Sequence, residues 1–175
     1  GRFVYVSLVA PPWQTQLHET AGIAKLNLET GSVIVIPYVG DHPIGIAHTA
    51  DGRFTYVVEG HASYVYKIDN ETNRVVDRTS AGVAGPYGLA LNWDESEIWV
   101  VGKGEGSHNT GGVMGVIDVQ TFQPSRSREF NQPVYIGGAT IDHAILHPDP
   151  DMNELWVSSA GTWETIVIDL GTYQV

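Results

Sequence analysis

One short pattern returns four times along the 175-residue chain, and that repetition limits the fold more than any single residue does. A polar turn followed by an apolar, aromatic, apolar run stands at Gly52-Arg53-Phe54-Thr55-Tyr56-Val57, at Glu95-Ser96-Glu97-Ile98-Trp99-Val100 and at Asn153-Glu154-Leu155-Trp156-Val157. Gly1-Arg2-Phe3-Val4-Tyr5-Val6 is a fourth copy. The aromatic recurs at Tyr5, Tyr56, Trp99 and Trp156, at spacings of 51, 43 and 57 residues. A second series, Asn27, Asp69, Asp118 and Asp169, recurs at 42, 49 and 51 residues, each member closing an alternating apolar strand. Self-similarity on this scale marks an array of one supersecondary unit, with loops of variable length around it.

Inside each unit, short β-branched and aromatic runs alternate with period two between turn residues, the signal of consecutive antiparallel strands. The second unit is the clearest. Ile44 to Ala50 reads as an inner strand, Asp51-Gly52 as a tight turn, and Arg53 to Glu59 as the second strand. Ser63 to Asp69 is the third, Asn70 to Asn73 a turn, and Arg74 to Ser80 the fourth. Four strands per roughly 45 residues, repeated, predict an all-β fold in which each unit is a four-stranded blade of a β-propeller. Residues 1–175 then form part of a single propeller domain of about four blades, with boundaries near 40, 83 and 133. The first blade starts at its second strand (Arg2 to Val9), with later strands near Ile23 to Leu28 and Ser32 to Val39. The third runs from Tyr87 to about Phe130 and the fourth from Ile141 to Tyr173-Gln174-Val175. An open arc leaves sheet faces bare, so the expected setting is a larger propeller of seven or eight blades, or pairing with a second copy. The expected partners are therefore the remaining blades of a parent chain or another subunit.

The sequence resembles a known family at these blades. Pro43-Ile44-Gly45, Asp51-Gly52, Tyr56-Val57 and the turn Asp69-Asn70-Glu71-Thr72-Asn73-Arg74-Val75 are similar to the YVTN propeller repeats and to the related d1-type haem domain of nitrite reductases. The third blade matches with Pro86-Tyr87-Gly88, Trp99-Val100 and Asp118-Val119-Gln120-Thr121-Phe122. The fourth departs, with Asp142-His143-Ala144 at the opening of the inner strand and Asp149-Pro150-Asp151 at the turn. The resemblance implies a propeller. Its members serve as haem domains, enzyme subunits and passive binding scaffolds, so fold alone does not choose among these roles.

Composition narrows the partners. Nine Lys and Arg against 20 Asp and Glu leave a formal charge of −11, which repels nucleic-acid backbones and anionic lipid surfaces. No apolar run approaches the roughly 20 residues of a membrane span, and Gly1 opens directly into a strand-like run, so a leader peptide, if there is one, is expected outside these residues. Cysteine is absent, which removes disulfides, thiolate metal sites and any c-type haem attachment within the chain. A haem here would be held non-covalently. The cysteine-free composition, rich in Gly and aromatics, points to a periplasmic or extracellular protein.

Strand order predicts where chemistry gathers. Loops between second and third strands share one rim with the connections between blades. That rim collects His18, His61 and His108 from the loops and His42 and His143 from the blade openings, with Glu19, Asp41, Glu59, Glu105, Asp142 and Glu164 beside them. Imidazole and carboxylate together suit a metal ion or a haem iron. His18, His61 and His108 are the metal-ligand candidates, and His42 and His143 the cofactor candidates. His143, aligned with Ile44 and Tyr87, is expected beside the central channel, as a ligand or as a packing residue. His48 and His147 align with each other as structural residues. Trp13, after Pro11-Pro12 in a long loop, suits a protein contact or packing over its own blade. The glycine-rich stretch from Gly102 to Gly112 lacks phosphate-loop spacing, and Asp149-x-Asp151-x-Asn153 and Asn70-Glu71-Thr72 read as turns. The expected function is an exported propeller presenting this histidine-rich rim as a binding scaffold or auxiliary subunit in a redox assembly. The alternative is a portion of a d1-haem or metal-containing oxidoreductase domain.

Overall fold

The structure, a computed structural model, describes residues 2–9, 21–103, 110–125 and 134–175. These form four antiparallel sheets in chain order. Sheet one contains β1 (Phe3–Leu8), β2 (Gly22–Asn27) and β3 (Val33–Pro37). Sheet two contains β4 (Pro43–His48), β5 (Phe54–Glu59), β6 (Tyr64–Asp69) and β7 (Arg74–Ser80), in the predicted order. Sheet three contains β8 (Pro86–Leu91), β9 (Glu97–Gly102), β10 (Thr110–Asp118) and β11 (Gln123–Pro124). Its last edge has a second piece, β12 (Val134–Ala139), which pairs with the first half of β10 while β11 pairs with the end. Sheet four contains β13 (Ile141–Leu146), β14 (Glu154–Ser159) and β15 (Glu164–Asp169), extended by a bridge from Asp169 to Gln174. Among the described residues there is no α-helix, and no helix is long and apolar enough to cross a membrane.

Period-two alternation assigns each strand one face toward the preceding sheet and one toward the next. Val57, Tyr66 and Ile68 of sheet two are buried with Ile23 and Ile36 of sheet one. The opposite face, Tyr56, Val58 and Val65, is buried with Leu89, Leu91, Ile98 and Val100 of sheet three. Trp99, Val101 and Met114 then meet Leu155, Val157, Ile166 and Ile168 of sheet four. Each such apolar side chain taken fully from water stabilises the fold by about 1.5–3 kcal/mol, so the seams between sheets hold most of the burial energy.

The series Asn27, Asp69, Asp118 and Asp169 closes the turns between third and fourth strands. Each side chain accepts a backbone N–H two or three residues on: from Glu29 and Thr30, from Glu71 and Thr72, from Thr121, and from Thr172. These are the short-side-chain turns that compete with regular structure and so mark its ends. Four residues after each cap the backbone turns left-handed, at Gly31, Asn73, Phe122 and Tyr173. The last three reach back to the preceding sheet. Asn73 accepts from Lys25 at 2.8 Å, Phe122 lies 5.8 Å from the Tyr56 ring, and Tyr173 stacks on Trp99 at 4.8 Å. Positive φ at bulky residues costs about 1–3 kcal/mol, offset here by aromatic burial across the seam.

The inner strands β4, β8 and β13 each begin with a bulge, between Pro43 and Ile46, between Pro86 and Gly88, and between Ile141 and Ala144. A Cβ on Gly45 would stand 2.8 Å from the Tyr87 carbonyl oxygen, and one on Gly88 2.8 Å from the Ala144 nitrogen. Only glycine lets successive inner strands approach backbone to backbone at these points.

Candidate functional site

The register corrects the placement of two histidines. Ala47, Ala90 and Ile145 lie opposite the aromatics Tyr56, Trp99 and Trp156, and Pro43, Pro86 and Ile141 lie opposite Glu59, Gly102 and Ser159. Asp142 therefore matches Ile44 and Tyr87, and His143 takes the place of Gly45 and Gly88. The alignment of His143 with Ile44 and Tyr87 was one residue out, and in a strand one residue reverses the face. His143 is exposed, and its backbone N–H donates to the Ser158 hydroxyl at 3.1 Å. His147 likewise matches Thr49, not His48, because both close the turn back to the second strand. His48 bonds the Thr55 hydroxyl at 2.9 Å and lies 4.5 Å from the Tyr5 ring, while His147 rests 5.4 Å from Trp156.

Of the five rim histidines, the structure brings His42 and His61 together. His18 and His108, with Trp13, Glu19 and Glu105, lie outside the described residues. His42 immediately precedes β4, and His61 follows β5, so the pairing of these two strands carries both side chains to one end of sheet two. Their rings stack at 4.3 Å with 14° between planes. Two glycines clear the room. Gly40 has φ +80°, and a Cβ there would stand 2.3 Å from Glu59 Cγ; a Cβ on Gly60 would stand 2.7 Å from Ile44 and 3.1 Å from His42.

Beneath the pair lies Glu59, fully buried. Its two carboxylate oxygens accept the backbone N–H groups of His61 at 3.0 Å and Ala62 at 2.5 Å, which closes the β5–β6 turn. Asp41 places Oδ1 3.5 Å from His61 Nδ1. Asp41, Glu59 and His61 each offer one ligand atom within 4.8 Å of the others, the one such cluster among the described residues. Burial lowers the His42 pKa, as do the His61 ring and Lys103, against the opposing pull of Glu59 and Asp41. The neutral ring, with its lone pair available, is thereby favoured at His42.

A cavity of about 410 Å³ opens beside the pair, at the seam between sheets two and three. Tyr87 and Lys103 of sheet three form its far wall, the ammonium 3.9 Å above the Tyr87 ring. Glu59 is expected from the sequence as a rim carboxylate but not as the closer of its turn, and Tyr87 and Lys103 are not among the expected site residues. Tyr87 was legible as the middle residue of Pro-x-Gly, whereas Lys103 carries no local signal and is brought in only by sheet packing.

Known proteins add the following. No protein-family model matches the chain, and no curated protein sequence matches it. Its fold is widespread, with 545 matching chains of solved structures, so resemblance of fold leaves the activity open. One of these is Kuenenia stuttgartiensis hydrazine synthase, at a TM-score of 0.71 and 19% identity over 87% of this chain. The chain spans 41% of that solved chain's length, and the likeness is one of fold.

Proposed function

We propose that the four sheets are blades of an exported β-propeller, and that the chain acts as a binding scaffold or auxiliary subunit which presents the rim around His42 and His61 to a protein partner in a redox assembly. The observation that carries this reading is the seam concavity: two stacked imidazoles and a Tyr87–Lys103 pair line it on a rigid sheet framework, the setting in which loops take on function. The fold is one shared with a chain of a hydrazine synthase. Two uncovered apolar faces support a larger assembly. Val4, Val6, Val33 and Val35 of sheet one are exposed, as are Ile145, Trp156 and Val167 of sheet four. Further blades of a parent chain or another subunit would cover them.

The second reading, a portion of a d1-haem or metal-containing oxidoreductase, would use His42 and His143 toward a non-covalent haem. A visible absorption spectrum taken with co-purification separates the two. The scaffold reading expects a colourless protein that elutes in a stoichiometric protein complex weakened by His42→Ala and Tyr87→Ala. A Soret band co-eluting with the protein would overturn it in favour of the haem domain.

A further inference from the structure

We propose that Asp41, Glu59 and His61 form a binding site for a divalent transition cation of the zinc type. The proposal rests on the rim reading and gives that rim a ligand. Three features of the cluster point to a cation. The Asp41 to His61 separation of 3.5 Å is longer than the 2.7–2.9 Å of a charge-assisted hydrogen bond. That one pair is close to the edge of a tetrahedral metal site, where bonds of about 2.0–2.1 Å hold neighbouring ligand atoms about 3.4 Å apart; the three ligand atoms together lie within 4.8 Å and would draw in around an ion.

Glu59 supplies the second feature. Its carboxylate is fully buried, and among the described residues no lysine or arginine forms an ion pair with it. Buried carboxylates are stabilised by paired charge or by metal. The two N–H bonds from His61 and Ala62 use one lone pair on each oxygen and leave another free, so closing the turn and holding a cation are compatible. Third, the donor set selects the metal. One imidazole nitrogen with two carboxylates suits zinc and its neighbours, whereas calcium takes six to eight oxygens at about 2.3–2.6 Å. His42, stacked flat on His61, holds that ring in plane as a positioning residue.

The test is calorimetric titration of chelator-treated protein with zinc chloride, with calcium chloride in parallel. One equivalent of zinc is expected to bind, with calcium at least about 100-fold weaker. His61→Ala and Asp41→Asn change partly exposed side chains and should keep the fold, checked by circular dichroism. Each is expected to lower zinc affinity by about 100-fold or more, beyond the 10–100-fold typical of residues behind the ligands. His147→Ala, remote in sheet four, should bind as the parent does. Absence of saturable zinc binding, equal affinity in the His61 and Asp41 variants, or a preference for calcium would each overturn the site. The scaffold reading is judged separately, by complex formation in chelator: a complex that persists while zinc fails to bind sinks only this proposal.

Discussion

Sheets three and four carry the same aromatic in the same register, yet Trp99 is 1% exposed and Trp156 is 41% exposed. Trp99 is closed over by Leu155, Val157 and the stacked Tyr173 of the following sheet. Its indole N–H has no hydrogen-bond partner among the described residues. Trp156 faces outward, where its N–H donates to Glu154 at 2.9 Å and its ring meets His147. The inner strands differ in step: Gly88 admits β13 against the Trp99 face, whereas His143 stands at the same position beside the Trp156 face. The repeat therefore specifies a sheet, while the neighbour specifies whether its face becomes core. A sheet packed in the manner of β13 on β8 would meet the His143 side chain, so the covering blade or subunit proposed above would have to approach less closely at this end.

The largest expected effect tests this contrast directly. Trp99→Ala should destabilise by about 3–5 kcal/mol, the usual range for a buried aromatic, and Trp156→Ala by under about 1 kcal/mol, read by chemical denaturation. Similar losses at both positions would mean that the Trp156 face is already covered, as in a self-associated form.

Next in size is the glycine contrast. Gly88→Ala places a Cβ 2.8–3.0 Å from the β13 backbone and should cost about 1–3 kcal/mol, which lowers the melting temperature by several degrees. His143→Ala should leave the melt within about 0.5 kcal/mol of the parent. Tolerance at Gly88 would show that the inner strands stand further apart than the structure places them.

A smaller effect separates the turns by acid. Hydrogen bonds from the Thr72 and Thr121 amides hold the Asp69 and Asp118 carboxyls below their usual range. Because the folded values are depressed, the stability they contribute is complete above the unfolded value of about 3.9 and is lost as the pH falls through the folded ones. Asn27 closes the matching turn of sheet one without a titrating group. Converting both aspartates to asparagine should keep the caps and flatten the loss of stability as the pH falls below about 4, followed by circular dichroism. An unchanged acid midpoint would assign the transition to other carboxylates.

The smallest effect concerns Tyr56, whose buried hydroxyl has no hydrogen-bond partner among the described residues. Burial, with Glu95 and Asp51 nearby, pushes its pKa up to about 12. Tyr56→Phe removes an unsatisfied group and should be neutral or slightly stabilising, by no more than about 1 kcal/mol. It should also remove a loss of stability that begins as the pH rises past the unfolded value of about 10. A clear destabilisation would mean that the hydroxyl has found a partner.

Several features were readable from local chemistry. The strands of sheet two were predicted to within about two residues, since turn residues and alternation are local signals. The spaced Asn27, Asp69, Asp118 and Asp169 marked real turns for the same reason. The errors have local causes too. Small Ala144 imitates the glycine of Pro43-Ile44-Gly45 and Pro86-Tyr87-Gly88, so the alignment at His143 slipped by one, whereas the pairing of Ile141 with Ser159 fixes the true register. The split edge of sheet three, with β11 and β12 sharing β10, has no signature in either segment alone.

The amino-acid sequence by itself determined the repeat, the all-β character, the turn caps and the glycines of the inner strands, because each follows from backbone freedom and side-chain period within a few residues. Tertiary structure alone decided that His42 stacks on His61, that Asp41 and buried Glu59 join them, that Lys103 comes over Tyr87, and that Trp99 but not Trp156 is core. Those outcomes depend on which sheet lies against which and how closely. That is settled by the burial of whole faces, a sum over residues distant in the chain to which no single segment holds the key.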